Sequence, residues 1–234
     1  SPSSAASDVY KRQVSLIPIL FAYAKMNVNT PVIQETNKKP LHEIREGISE
    51  ARKNPIIFGN LLAAGIVSSL ILNMGTYGPL FADRVLHKGL DGFGSILFAA
   101  GAGSMASGIL SATSSTHYSQ RFIFTAAGLC GLLLMAVSYI FWTIPALFMF
   151  ALLGFATILF MVNCNTAIQM ASPPEYLGRI MGLYTFVFLG SAPFGSLLVS
   201  AIIEYMGTSL GLAIVGLFEI ILILLTAKTY SKQK

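Results

Sequence analysis

The sequence predicts an all-α integral membrane protein, a bundle of six transmembrane helices. Hydrophobic residues make up 54 % of the 234-residue chain and charged residues only 11 %, whereas globular proteins carry about 25 % charged residues. Between Asn54 and Ala227 the uncharged runs are 54–82, 92–120, 122–174, 180–203 and 205–227, the last interrupted by Glu219 alone. A bilayer core of ~30 Å needs about 20 helical residues, so each run spans the membrane and 122–174 spans it twice.

Six spans are predicted in order at 55–81, 93–113, 122–141, 145–169, 181–203 and 208–227. The sequence lacks the alternation of a transmembrane β-barrel, and lipid leaves helices as the remaining solution for backbone hydrogen bonds. The longest run divides at Trp142-Thr143-Ile144-Pro145. The second span carries Gly94, Gly101, Gly103 and Gly108, which favour close helix packing or, alternatively, line a pore. Residues 55–227 are therefore assigned to one transmembrane bundle.

The N-terminal 24 residues are set apart from this bundle. Residues 1–13 resemble the translation of a sequencing-library adapter and are interpreted as a non-native tail, with an ordinary polar tail as the alternative. The apolar stretch 14–24 would be only ~16 Å long as a helix, too short to span. We interpret it as the remnant of a truncated transmembrane helix. A signal peptide is the competing interpretation, but no small-residue cleavage site follows.

Residues 25–54 form the one sizeable polar segment, predicted to be a loop that contains an amphipathic helix. Leu41, Ile44, Ile48 and Ala51 recur at helical spacing on one face, and Asn54-Pro55 ends the pattern. We expect the helix to lie on the membrane surface as a linker between two bundles. A regulatory or partner-binding role is the alternative.

The charges predict orientation and do not indicate a nucleic-acid partner. The net charge is +5, but the basic residues occupy short loops and form no continuous basic face. With six spans, one side holds Lys25, Lys38, Lys39, Arg45, Arg52, Lys53, Arg121, Arg179, Lys228, Lys232 and Lys234, and the opposite loops hold Arg84 and Lys88. Excess Lys and Arg mark the cytoplasmic face. We therefore expect a multi-pass protein of the cell (inner or plasma) membrane, with 25–54 and the tail 228–234 in the cytoplasm.

A local motif opens the fifth predicted span. Residues 173–182, PPEYLGRIMG, fit the pattern P-x-E-x-x-G-R-x-x-G and are followed by GSAPFG at 190–195. This sequence resembles the start of the eleventh helix of major facilitator superfamily transporters. Residues 46–56 are similar to the loop before helix seven in the branch that contains the enterobactin exporter and macrolide-efflux proteins. The resemblance covers about residues 14 to 230.

The resemblance implies the C-terminal half, helices 7 to 12, of a major facilitator fold. It further implies a secondary active transporter fragment, which exports small amphipathic molecules such as drugs or siderophores in exchange for protons by alternating access. The expected partners are the missing N-terminal six-helix half, the lipid bilayer and the small-molecule substrate. A non-transporting membrane scaffold or assembly subunit is the alternative from another class.

Three residues of the motif, Glu175, Gly178 and Arg179, are the candidate cytoplasmic gate. Arg179 has five donors for Glu175 or for helix C-terminal carbonyls, and a positive-inside anchor is the alternative role. The superfamily often repeats an arginine-rich motif between helices eight and nine. Here that loop, 114–121, keeps only Arg121, which makes a charge latch at this second position doubtful.

Polar residues inside the spans are the candidates for a transport cavity or, alternatively, for interhelical hydrogen bonds. They are Asn60, Ser69, Asn73, Asn163, Asn165, Gln169, Tyr184 and Ser191. Glu219, the acidic residue inside the last span, is the candidate for proton coupling because a membrane-buried charge is costly. A protonated or hydrogen-bonded structural carboxyl is its alternative role, since helix twelve of the resembled fold supports the bundle from outside.

No other chemistry is indicated. Cys130 and Cys164 fit neither a zinc spacing nor a disulfide framework, and the three histidines are far apart. No phosphate-binding G-x-x-x-x-G-K-[ST] occurs and no catalytic dyad stands out. We therefore expect no enzyme activity, no cofactor and no metal.

Overall fold

The structure, a computed structural model, describes residues 40–113 and 119–232 as helices joined by short turns, with no strand in these residues. The helices are α1 (Pro40–Lys53), α2 (Pro55–Leu70), α3 (Met74–Arg84), α4 (Gly89–Thr113), α5 (Gln120–Val137), α6 (Thr143–Ala171), α7 (Leu177–Met206) and α8 (Thr208–Lys232). Within this part of the chain six segments are long and apolar enough to span a membrane, with α2 and α3 together making the first. The all-α six-helix prediction is confirmed. The predicted tail 1–13 and helix remnant 14–24 lie outside the described residues.

The first span is broken, which the prediction of one continuous helix over 55–81 missed. Residues 71–73 separate α2 from α3. Two side chains satisfy carbonyl groups at the break: the Tyr77 hydroxyl donates to the Ile71 carbonyl at 2.8 Å, and the Asn73 amide donates to the Ser69 carbonyl. Lipid tolerates irregular backbone only where it is buried in protein or lines a cavity. These bonds pair two carbonyl groups at the break, where Ile71 is buried and Leu72 is exposed.

The broken span α2–α3 lies at the centre of the bundle. Helix α2 contacts α5, α6, α7 and α8, and α3 contacts α4, α7 and α8. Helix α4 packs mainly on α6, whereas α7 packs mainly on α2 and α8, and α4 and α7 do not contact each other. These two helices are also the least enclosed spans, with 22 % of the window buried in α4 and 17 % in α7. They form two edges of the bundle.

The two ends of the bundle differ in charge. We call the end at which α2, α5 and α7 begin the basic end; α4, α6 and α8 finish there. Its described basic side chains are Arg45, Arg52, Lys53, Arg121, Arg179 and Lys228, and the opposite end has Arg84 and Lys88. The alternation of six spans therefore sorts the basic residues as the sequence predicted.

Glycines allow pairs of helices to approach to backbone contact. A methyl group built on Gly103 of α4 would overlap the Ala151 carbonyl of α6, and one on Gly154 of α6 would overlap the Ala100 carbonyl of α4. A methyl group on Gly195 of α7 would likewise overlap the Ser69 carbonyl beside the break. Close packing through small residues is thus the means by which these helices associate.

Of the four glycines singled out in the second span, only Gly103 lies at such a contact. Methyl groups built on Gly94, Gly101 and Gly108 would meet nothing within 4 Å. The packing interpretation therefore applies to one glycine of the run. The other three lie where α4 has no described neighbour.

Helix α1 docks against the basic end of the bundle, in contact with α2 and α7. Ala51 is 1 % exposed, and Gly47 is buried against Arg179 of α7. Asn54 joins α1 to the spans: its side-chain oxygen accepts from the Ile56 amide at 3.0 Å, and its amide donates to the Ala171 carbonyl at 3.1 Å. The apolar face predicted for α1 is therefore used for packing on this bundle at Ala51.

Candidate functional site

The structure brings three of the predicted cavity residues together between α6 and α7. Gln169 of α6 donates its amide to the Asn165 side chain one turn earlier, and Asn165 is also a partner of the Tyr184 hydroxyl of α7. The Tyr184 ring stacks on Phe188 with centroids 5.7 Å apart. Tyr184 follows the first residue of α7 by ~10 Å of helix rise. This cluster thus lies in the half of the bundle near the basic end.

A second group surrounds the break in the first span, deeper in the bundle. Ser191 of α7 donates to the Gly65 carbonyl of α2 at 3.2 Å, and Ser69 donates to the Ile66 carbonyl at 3.0 Å. Asn73 bonds the Ser69 carbonyl as described above. These three side chains are partly exposed. Together with the Asn165 cluster they place neutral donors and acceptors at two depths along α7.

Asn60 and Asn163 do not join either group. Asn60 is 0 % exposed and links three helices: its side-chain amide donates to the Ile56 carbonyl at 2.8 Å and to the Gln120 side chain at 2.9 Å, and its backbone carbonyl accepts from the Cys164 thiol. Asn163 donates to the Leu159 carbonyl of its own helix at 2.7 Å. Asn60 therefore forms interhelical hydrogen bonds, which was the alternative role predicted for the polar residues inside the spans.

The gate motif has a different partner from the expected one. The Arg179 guanidinium pairs with the Glu46 carboxylate of α1 at 2.9 Å, and the two side chains are 24 % and 25 % exposed. It also lies over the Tyr176 ring at 5.6 Å. Helix α7 begins at Leu177, so Glu175 precedes the helix and is exposed. Glu175 and helix C-terminal carbonyls were the partners considered for Arg179; the turn at Glu175 is not helical here, and Glu46 of α1 is a partner of the guanidinium.

The Gly178 position has open space around it. A methyl group built there would meet nothing within 4 Å, and its φ is not in the left-handed region. Nothing in the packing of the described residues therefore requires glycine at 178. Within the motif, Arg179 is the residue that makes the contact with α1.

Glu219 lies inside the bundle, between α8 and α5. It is 0 % exposed, and neither carboxyl oxygen has a hydrogen bond of ordinary geometry within the described chain. Its nearest approach is to Gly131 of α5, where a methyl group would overlap the carboxyl. Cys130 is a further neighbour, and its thiol lies 3.7 Å from the Thr157 hydroxyl of α6. A carboxyl in such a place is suited to the neutral, protonated form.

The charges and ligands of the site can be stated for the described residues only. None of the clustered side chains at Ser69, Asn73, Asn165, Tyr184 and Ser191 is charged, so the site offers hydrogen bonds and an aromatic surface. Among residues 40–113 and 119–232 no three His, Cys, Asp or Glu side chains come together as metal ligands. Cys130 and Cys164 are free and buried.

Sequence reasoning missed two residues that the structure connects to the site. No partner was predicted for Glu46, yet it is the ion-pair partner of Arg179 from 133 positions away. Tyr77, 1 % exposed, stabilises the break through its bond to Ile71. The run Asn73, Gly75 and Pro79 was a signal for the break, because a capping residue followed by helix breakers interrupts a helix.

The fold and the polar groups within it define a multi-pass α-helical membrane protein with a hydrogen-bonding interior, the architecture of a transporter. The sequence profile of the Major Facilitator Superfamily matches residues 14–196. The chain therefore belongs to the Major Facilitator Superfamily, a family of transporters. No curated protein and no solved structure matched the chain.

Proposed function

We propose that this chain is the C-terminal six-helix half of a secondary transporter that works by alternating access. The observation that carries the proposal is the exposure of α4 and α7, the two least enclosed spans, on either side of the broken central span. In a transporter built from two bundles, such edges are where the second bundle, here the missing N-terminal half, closes the cavity.

The polar groups support a transport role at a level near the bilayer centre. Discontinuous helices commonly form substrate sites in transporters, because an unwound backbone offers hydrogen-bonding groups there. The break at 71–73 has Ser69, Asn73 and Ser191 around it, and the Asn165 cluster lies towards the basic end. Asn163, which is partly exposed on α6, is a further candidate.

We infer a small amphipathic substrate, such as a drug or a siderophore, which the complete protein exports. The clustered residues are amides, hydroxyls and the stacked Tyr184–Phe188 pair, and such groups suit a ligand with apolar and neutral polar parts. Proton exchange would use Glu219, since a buried carboxyl with no cationic partner among the described residues can change its protonation as its surroundings change. This assignment requires a route for protons between α5 and α8.

We infer that the basic end faces the cytoplasm of a cell (inner or plasma) membrane. The excess of Arg and Lys at that end is the support, because positive residues in short loops are retained on the cytoplasmic side. The Arg179–Glu46 pair would then act at the cytoplasmic gate by holding α1 against the start of α7. Helix α8 would end in the cytoplasm.

The experiment is reconstitution of the chain into liposomes with and without a homologous N-terminal half, followed by flux of a fluorescent amphipathic drug under an imposed pH gradient. The isolated chain should insert but give no gradient-driven flux, because one bundle cannot close both sides of a cavity. Co-expression with the other half should restore flux.

A carbonyl cyanide uncoupler provides the control, since it should remove the restored flux if protons drive it. Saturable, gradient-driven flux by the isolated chain would contradict the half-transporter proposal. Restored flux that survives the uncoupler would contradict proton coupling while leaving the two-bundle proposal intact.

A further inference from the structure

A long groove lies between α5 and α8, apart from the polar groups described above. Its volume is about 950 Å³, and its lining residues come from these two helices and from Ser119 just before α5. On α5 the groove follows Arg121, Phe124, Gly128 and Leu132, which recur at three and four residues and so lie on one helical face. Leu224 of α8 lies on the opposite wall.

The groove runs through about one leaflet of a bilayer. From Arg121 to Leu132 the helix rises ~16 Å, and half of a ~30 Å hydrocarbon core is ~15 Å. Arg121 lies at the basic end of the bundle, and Leu132 lies about two thirds of the way along α5. A groove of this depth, open at a charged end and apolar along its length, matches the length of an acyl chain of the nearer leaflet.

The mouth of the groove carries one exposed cation. Arg121 is exposed, and among the described residues it has no ion-pair partner. Gln120 also lines the mouth, with its side chain hydrogen-bonded to Asn60. Tyr230 packs edge-on against Phe124 at 5.9 Å and completes the mouth. These groups lie where a lipid phosphate would meet the start of the groove.

Gly128 leaves the groove open. A methyl group built on it would meet nothing within 4 Å, so helix packing does not explain glycine at this position. The contrast on the same helix is Gly131, where a methyl group would overlap Glu219 and approach the Gly216 carbonyl. Gly131 thus allows α5 to contact α8, whereas Gly128 adds space to the groove.

We propose that this groove holds one anionic phospholipid from the leaflet at the basic end, with its phosphate at Arg121 and an acyl chain along Gly128. Basic pockets between transmembrane helices bind anionic lipid headgroups in this way. The single charge at the mouth favours an anionic lipid over a zwitterionic one. The apolar walls favour an acyl chain over a soluble phosphate.

The test is native mass spectrometry of the full 234-residue chain in mild detergent, with equal amounts of phosphatidylglycerol and phosphatidylcholine. One phosphatidylglycerol should be retained preferentially. Arg121→Gln should lower that preference about fivefold, from ~1 kcal/mol per basic residue near a lipid surface. Arg84→Gln, an exposed arginine at the opposite end, is the matched control and should leave the preference unchanged.

A second pair of variants tests the apolar part of the site. Gly128→Leu should fill the groove and reduce retention of both lipids, whereas Gly101→Leu, at an equally open glycine of α4, should not. Circular dichroism on each variant checks that the helices are intact. Equal retention of the two lipids by the unmodified chain, or no effect of Arg121→Gln and Gly128→Leu, would overturn the proposal. A dimer mass that replaces the lipid adduct would also overturn it, since a second chain would then occupy the groove.

Discussion

The crossing of α4 and α6 gives a prediction whose size can be worked from the structure. In Gly103→Ala the new methyl group would overlap the Ala151 carbonyl oxygen and lie 2.7 Å from its carbon, whereas ordinary contacts begin near 3.4 Å. The carbon contact alone requires a separation of about 0.7 Å, and the closer oxygen contact requires about twice that. Overpacking of this kind costs about 1–3 kcal/mol. At roughly 2–4 °C per kcal/mol for a chain of this size, Tm should fall by about 2–12 °C.

The assay is thermal unfolding of the purified chain in detergent, followed by helical circular dichroism. Gly101→Ala is the matched control, because it lies two residues away on the same helix and its methyl group meets nothing within 4 Å. Both variants gain the same intrinsic helix propensity from alanine, up to ~1 kcal/mol, so the difference between them isolates the crossing. Equal Tm values for the two variants would mean that α4 and α6 do not meet at Gly103.

Three further predictions concern sidedness, the α1 contact and the buried carboxyl. In a background without native cysteines, Lys88→Cys should react with an impermeant maleimide on intact cells and Lys53→Cys only after permeabilisation; the reverse pattern would invert the orientation. Arg179→Glu should speed hydrogen exchange in α1 by about fivefold, the upper range for a partly exposed pair, and Glu46→Arg in the same chain should restore protection. A charge swap that restores nothing would mean that the pair does not hold α1. Glu219→Gln should leave Tm nearly unchanged, because an amide has the size of a neutral carboxyl and can keep the close approach to the Gly131 backbone; a fall of several degrees would mean that the carboxyl group itself stabilises the contact between α5 and α8.

The spans could be predicted from the sequence because lipid imposes a simple rule on charge. Uncharged runs long enough to cross a bilayer must be helical, and each of the six predicted spans is largely helical in the structure, although the first is broken and the third ends at Val137 instead of 141. Their ends were less predictable: α7 extends from Leu177 to Met206, past the predicted 181–203. Charge marks where the hydrocarbon core ends, but a helix can continue into water for as long as its own hydrogen bonds and neighbours support it.

The break at 71–73 could not be read from charge, because the residues around it are uncharged. What fixes it is a combination of local and distant groups: Tyr77 and Asn73 bond the freed carbonyls, and Gly195 of α7 lets the Ser69 backbone come close. Gly195 is 126 positions away from Ser69 in the sequence, so a search of one sequence window does not find this contact. The same limit explains why Glu46 was not predicted as the partner of Arg179.

Polarity alone also did not separate cavity residues from structural ones. Asn60 and Asn165 are both amides within apolar spans, yet Asn60 is enclosed among α2, α5 and α6, while Asn165 is partly exposed beside α7. The difference depends on which neighbouring helix covers each face. That information lies in the order of the helices around the bundle and not in the composition of any one span.

The position of α1 bears on how two bundles would move. A surface linker was predicted, and a free linker would follow neither bundle. Here Glu46 pairs with Arg179, Gly47 packs on the same residue, and Asn54 bonds the end of α6. Because α1 contacts α7 directly and the adjoining Asn54 bonds the end of α6, α1 would move with this bundle in the proposed rocking motion. Opening at the basic end would then either carry α1 along with α7 or break the Arg179 pair, and the hydrogen-exchange experiment on Arg179→Glu measures how much that pair contributes.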